Sequence, residues 1–334
     1  MNTAAYLWAC ARQKKQCAMP ILSFPAVQDM GISIRELTQS SAYMAQAMQI
    51  VARRTPSAAA VSLMDLSVEA EAFGAEIRFA EDEVPTVIGQ LIADEEDARA
   101  LSVPAVGAGR TGVCVEAIRK AKAAISDRPI LAGCIGPFSL AGRLMDVTEI
   151  MYQCYDDPDT VHIVLEKAAA FLTDYCLALR EAGADGVVMA EPLAGLLSAS
   201  MNAEFSCTYV RKIIGAVQTE NFAVIYHNCG NTVLSLLPDL FSLQAAAYHF
   251  GNAVSMRDVL DKAPEDVLCM GNIDPAGQFT EGTPASMEAA VTALLSECAG
   301  APNFLLSSGC DIPPNAKWEN INAFFKAAEG FDCP

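Results

Sequence analysis

Three residues have donor atoms that could act together. His227 and Cys229 stand two apart at the end of the apolar run Phe222–His227, and Cys310 follows the apolar run Phe304–Ser308. In extended chain, residues i and i+2 point to the same side, so the imidazole and the thiol can converge. Cys310 could supply a third donor across the mouth of a closed sheet. One nitrogen and two sulfurs form a borderline-soft set that suits Zn²⁺ and leaves a fourth position for a substrate. A His-x-Cys pair by itself is better explained by a structural histidine beside an inert cysteine. This pair gains weight because the chain has only 3 histidines and a second cysteine sits at the same kind of position.

Other polar residues also follow apolar runs. Asp65 follows Ala59–Met64, and Glu191 follows Gly186–Ala190. Asn272 and Asp274 follow Val267–Gly271. Glu191 could orient a ligand, act as an acid–base group or complete a metal shell; it could equally be a solvated loop acid. Asp65 could touch a substrate or cap a helix starting near Ser67. Asn272 and Asp274 could bind substrate or build the turn before Pro275. Arg143 is a candidate anion clamp, with a surface role as its alternative. His249, inside an apolar run, reads as a core or wall residue, and His162 as a residue on a helix face.

These positions need a scaffold that brings many strand ends to one rim. Eight short apolar runs read as strands: Met19–Ala26, Ala59–Met64, Pro129–Ile135, Gly186–Ala190, Phe222–His227, Ala245–Phe250, Val267–Gly271 and Phe304–Ser308. Helical patterns alternate with them at Arg35–Arg53, Gly112–Ile125, Asp159–Glu181, Glu204–Val217, Met256–Asp261, Ala285–Cys298 and Glu319–Glu329. The segment Glu69–Asp127 holds Pro85, Pro104 and a Gly107-Ala108-Gly109 turn, and reads as an elaborated loop plus one helix. The expectation is one α/β domain over residues 1–334: a (β/α)₈ TIM barrel, elaborated between its second and third strands. An open doubly wound sheet would call for a Gly-rich loop after the first strand, and Pro25-Ala26-Val27-Gln28-Asp29 is not one.

Composition narrows the partners. The 334 residues carry a formal charge of −18, which disfavours nucleic acid and anionic membrane surfaces. No apolar run reaches the roughly 18 residues of a membrane helix, and Met1–Ala18 does not read as a signal peptide. Twelve cysteines without an export signal fit a reducing compartment, so the cytoplasm is the expected location. Most of them sit in apolar surroundings as small hydrophobes.

Six stretches, in order along the chain, resemble a known family. They are Met64-Asp65-Leu66-Ser67-Val68-Glu69-Ala70-Glu71-Ala72-Phe73-Gly74, Gly136-Pro137-Phe138, Ala190-Glu191-Pro192, His227-Asn228-Cys229-Gly230-Asn231, Gly271-Asn272-Ile273-Asp274-Pro275 and Ser308-Gly309-Cys310-Asp311-Ile312-Pro313. The chain resembles the uroporphyrinogen decarboxylase superfamily, and within it the methylcobamide:coenzyme M methyltransferase branch. The resemblance implies a barrel with catalytic zinc on His227, Cys229 and Cys310, and a carboxylate, Glu191, near the metal. It implies methyl transfer from a corrinoid (a cobalamin-type methylcobamide) on a separate protein to a thiol such as coenzyme M. Asp65 stands where the decarboxylases keep a pyrrole-binding aspartate. Their Arg-Gln-Ala-Gly-Arg signature is missing; the region reads Phe24-Pro25-Ala26-Val27-Gln28-Asp29-Met30-Gly31. Decarboxylation is therefore not expected. The alternatives are methyl transfer from a methylated donor to a corrinoid protein, and a non-catalytic corrinoid- or tetrapyrrole-binding barrel.

Overall fold

In the computed structural model, which describes residues 1–13 and 17–331, short apolar runs form strands and the amphipathic stretches between them form helices. The strands are β1 (Ala60–Val61), β2 (Glu76–Arg78), β3 (Thr86–Ile88), β4 (Ile130–Ile135), β5 (Gly186–Ala190), β6 (Ala223–Asn228), β7 (Ala247–Phe250), β8 (Cys269–Ile273) and β9 (Phe304–Ser308). Seven of them make one parallel sheet in the order β1-β4-β5-β6-β7-β8-β9. β2 and β3 form a separate antiparallel hairpin.

The sheet curls until its two edges meet the same piece of chain. Ala18 bridges to Leu306 of β9, with Met19 N donating to Leu306 O at 2.9 Å. On the other side, Ala58 N donates to Ala18 O at 2.9 Å, and Ser23 Oγ donates to Val61 O at 3.1 Å. The strand expected over Met19–Ala26 does not form as a regular ladder. Phe24–Ala26 is instead a 3₁₀ turn around Pro25, which has no N–H to give a sheet.

Strand residues alternate between two cores. Leu131, Val188, Ile225, Ala247, Met270 and Leu305 face inward. Their neighbours, such as Ala132, Val187, Val224 and Tyr248, face the surrounding helices. This period of two sets the site. His227 follows Ile225, His249 follows Ala247 and Ser307 follows Leu305 on the inward face. The helix Thr3–Ala11 adds Leu7, Cys10 and Ala11 to the inner cluster.

Three expectations need correcting. The segment between β1 and β4 holds the β2–β3 hairpin and the helices Val68–Ala72, Glu95–Ala100 and Thr111–Ala124, more than a loop and one helix. The helix expected over Arg35–Arg53 is two, Ile34–Gln39 and Ser41–Arg54, divided at Ser40; there the backbone is extended and the side chain accepts from Tyr43 N. The helices Pro137–Met145 and Val147–Asp156 were not expected, and the first carries Arg143. No helix among the described residues is long and apolar enough to cross a membrane.

Candidate metal centre and adjoining cleft

Register assembles the centre. His227 of β6 pairs with Ala190 of β5 on one side and His249 of β7 on the other. β6 ends at Asn228, and Cys229 turns off it against Gly251, where an added Cβ would meet the Cys229 Cα at 2.6 Å. β9 ends at Ser308, two residues before Cys310. His227, Cys229 and Cys310 thereby bring one ligand atom each within 4.8 Å of one another. His227 Nε2 lies 3.6 Å from Cys310 Sγ. A tetrahedral ion at ordinary zinc–nitrogen and zinc–sulfur distances separates such a pair by about 3.6 Å. The three donors thus fit a single metal ion. A hydrogen bond from the Cys310 thiol pulls Cys229 down to about 7. The same bond, and then burial, pushes Cys310 up to about 12.

Behind the donors lies a polar chain. His227 Nδ1 is 2.8 Å from His249 Nδ1 and 3.2 Å from His249 O. His249 Nε2 is 2.8 Å from Ser307 Oγ, which donates to Met19 O at 2.7 Å. Burial holds His249 well below the usual histidine range, so it is neutral. His249 is a wall residue, as expected, but it also touches the His227 imidazole of the three-donor cluster. His162 lies on its helix, with Nδ1 2.7 Å from Tyr209 Oη.

The other expected residues divide. Glu191 is fully buried and lies outside the three-donor cluster. Its Oε1 accepts from Ser139 N at 3.2 Å, at the start of the helix Pro137–Met145, and Oε2 accepts from Ser206 Oγ at 3.3 Å. Burial raises it to about 8, against the pull of the Ser139 and Phe138 N–H groups. Asp65 is paired with Arg110 and accepts from Ser67 N at 3.0 Å and Ser67 Oγ at 2.6 Å. Arg110 Nε also reaches Glu71 at 2.6 Å. Asn272 Nδ2 donates to Gly251 O at 2.9 Å and Val254 O at 2.7 Å, tying down the loop that abuts Cys229. Asp274 Oδ1 accepts from Ala276 N and Gly277 N, both at 3.0 Å, which is the turn-building role.

Beside Cys310 opens a cleft of about 350 Å³, lined by Phe24, Met64, Val87, Arg143, Asp311 and Pro313 among others. Asp311 is pushed well above the carboxylate range by burial, and its Oδ1 has no hydrogen-bond partner. Sequence reasoning missed Arg110 and Ser307, and gave Asp311 no role beyond its place in the stretch that carries Cys310. Ser307 was findable, since it faces inward by the same alternation that points His227 to the interior.

The model of the uroporphyrinogen decarboxylase (URO-D) family matches residues 15–331. The chain belongs to the uroporphyrinogen decarboxylase family. Its relatives in this family include methylcobamide:CoM methyltransferase MtbA of Methanosarcina acetivorans, 27% identical over 80% of this chain and 78% of that protein. They also include uroporphyrinogen decarboxylase of Dichelobacter nodosus, 25% identical over 82% of this chain and 79% of that one. A solved methyltransferase from Methanosarcina mazei superposes with a TM-score of 0.88 at 23% identity, covering 98% of both chains. That likeness establishes the α/β fold of the family for this chain.

Proposed function

We propose that this protein is a zinc-dependent methyltransferase that moves a methyl group from a methylated corrinoid, carried by a separate protein, to a small thiol such as coenzyme M. The observation that carries the reading is the His227–Cys229–Cys310 cluster, with donor atoms within 4.8 Å of one another at one end of the curled sheet. The relatives named as methylcobamide:CoM methyltransferases support it. We take the segment from Ala18 to Ile21 as the eighth stave of a barrel that forms a single domain with the cluster at its mouth.

Zinc there would lower the pKa of a bound thiol and supply a thiolate at neutral pH without a general base. The protein's own groups do the rest. His227, fixed through Nδ1, offers Nε2 as a ligand. The two cysteine sulfurs keep the site electron-rich, which favours a nucleophilic thiolate. Such a thiolate would take the methyl group from a methylated corrinoid, with the cobalt–carbon bonding pair left on cobalt. Glu191 is a proton-holding group near neutral pH, behind the rim. Asp65, locked to Arg110, positions the loop that leads into the hairpin.

Metal analysis combined with a methyl-transfer assay over several thiols tests the reading. About one zinc per chain and thiol methylation lost on metal removal are expected. A metal-free protein of equal activity would end it. Transfer from a methylated donor to cob(I)alamin, with no thiol methylation, would establish the reverse direction.

A further inference from the structure

The cleft beside Cys310 contains a charge that the metal cluster does not use. Its walls are largely apolar, and only two ionisable side chains line it, Arg143 and Asp311. Arg143 sits half-buried in the helix Pro137–Met145. A guanidinium cannot escape burial by losing its proton, so burial is costly until an anion pairs with it. Among the described residues Arg143 makes no salt bridge or hydrogen bond; burial lowers its pKa, opposed only by the charge of Asp65. Asp65 cannot serve as the missing partner, because Arg110 and Ser67 already hold its carboxylate. Asp311 faces the same cleft without reaching Arg143, and its buried Oδ1 is unpartnered.

We infer that this cleft binds a small organic oxyanion whose charged end pairs with Arg143 and whose apolar body lies along Phe24, Met64, Val87 and Pro313. At about 350 Å³ it is at the small end of organic-ligand pockets and holds on the order of ten water volumes. A two-carbon thiol fills only part of that space. An anion with an aromatic or branched body fills more of it, and Asp311 offers a hydrogen-bonding group to a polar atom on that body. A single free cation selects one negative group, not several. That this anion is the substrate of the reaction rests on the methyltransferase reading above; that an anion binds here does not.

Calorimetric titration of the full chain tests the inference, zinc-loaded and metal-free, with benzoate, benzyl alcohol and ethanesulfonate. Benzoate should bind more tightly than ethanesulfonate, and roughly 10–100-fold more tightly than benzyl alcohol, as one charge-assisted contact gives. The preference should persist without metal, which separates Arg143 from carboxylate ligation by zinc. Arg143→Gln should erase it with zinc content unchanged and no loss of melting temperature, and Arg143→Lys should restore part of it. Equal binding of benzoate and benzyl alcohol, no benzoate binding, or an undiminished preference in Arg143→Gln would each overturn the anion site. Tighter binding of ethanesulfonate than benzoate would overturn the apolar body. Arg143-dependent benzoate binding without methylation of any thiol would leave the anion site standing and remove the proposed activity.

Discussion

His227 Nδ1 lies 2.8 Å from His249 Nδ1, and this contact decides which nitrogen of His227 faces the cysteines. Ser307 has one hydroxyl proton and gives it to Met19 O, so toward His249 Nε2 it must accept. His249 Nε2 therefore carries hydrogen. Being neutral, His249 then presents a bare Nδ1. His227 Nδ1 must donate to it, and the lone pair on His227 Nε2 turns toward Cys310. The chain from Met19 O to the three-donor cluster thus selects a tautomer. His249→Ala should weaken zinc binding roughly 10–100-fold, and Ser307→Ala by less, in competition against a chromophoric chelator. Unchanged affinity in a folded His249→Ala protein would reduce the residue to a wall.

Removing a donor should act more severely. Cys229→Ala and Cys310→Ala should each reduce bound zinc to below about one-tenth per chain after dialysis, because each takes one of three ligands. Methyl transfer should fall to background in both. Cys207→Ala, which alters a buried cysteine outside the cluster, should keep full zinc and activity. Full zinc occupancy in the first two variants would dismiss the ligand set.

Two buried carboxyl groups set a pH dependence of stability. Burial raises Glu69 to about 7 and Glu191 to about 8, from an ordinary carboxyl value of 4.5. Both groups are favoured in their protonated form by the fold. Their contribution is complete below about 4.5 and is lost as pH rises through about 7 and about 8. The urea midpoint of the metal-free protein should therefore fall between pH 5 and 8.5, where these groups ionise. Glu69→Gln and Glu191→Gln should each flatten that fall by the order of 1–3 kcal/mol. A profile unchanged by both substitutions would show that these groups are solvated or paired.

Gly136 gives the seat of Glu191 its own test. A Cβ at Gly136 would collide with the Glu191 side chain, whose carboxylate accepts from Ser139 N. Gly136→Ala should lower stability by about 1–3 kcal/mol. Glu191→Ala in the same chain should relieve much of that strain, which a double-mutant cycle of melting temperatures would reveal as non-additivity. Additive effects would place Glu191 elsewhere.

The strand ends and the three donors were legible because both follow simple rules. Apolar runs mark buried parallel strands, and soft ligands are few enough for their spacing to matter. Long-range partners were not legible. Arg110 lies 45 residues from Asp65, and nothing local marks it as the ion partner. Ser307 and His249 meet only through the sheet. The first segment was misread because its apolar composition fits a strand, whereas Pro25 and the meeting of both sheet edges there make it a turn after one bridge. Asn272 and Asp274 sit at the rim as expected, yet local backbone N–H and carbonyl groups claim them first.

Uroporphyrinogen should not be decarboxylated by this protein, despite its membership of the family named for that reaction. Such a substrate bears several carboxylates on a large ring and needs several cations to hold them. The arginine signature is absent from Phe24–Gly31, and the cleft has one free cation, Arg143, among its lining residues. Arg110, a buried arginine nearby, is neutralised by Asp65 and Glu71. About 350 Å³ is also too small for a tetrapyrrole, which outsizes drug-like ligands occupying up to roughly 1,000 Å³. Incubation with uroporphyrinogen under anaerobic conditions should leave it intact by chromatography. Formation of coproporphyrinogen would mean that cations outside this cleft gather the carboxylates, and would return the chain to decarboxylase chemistry.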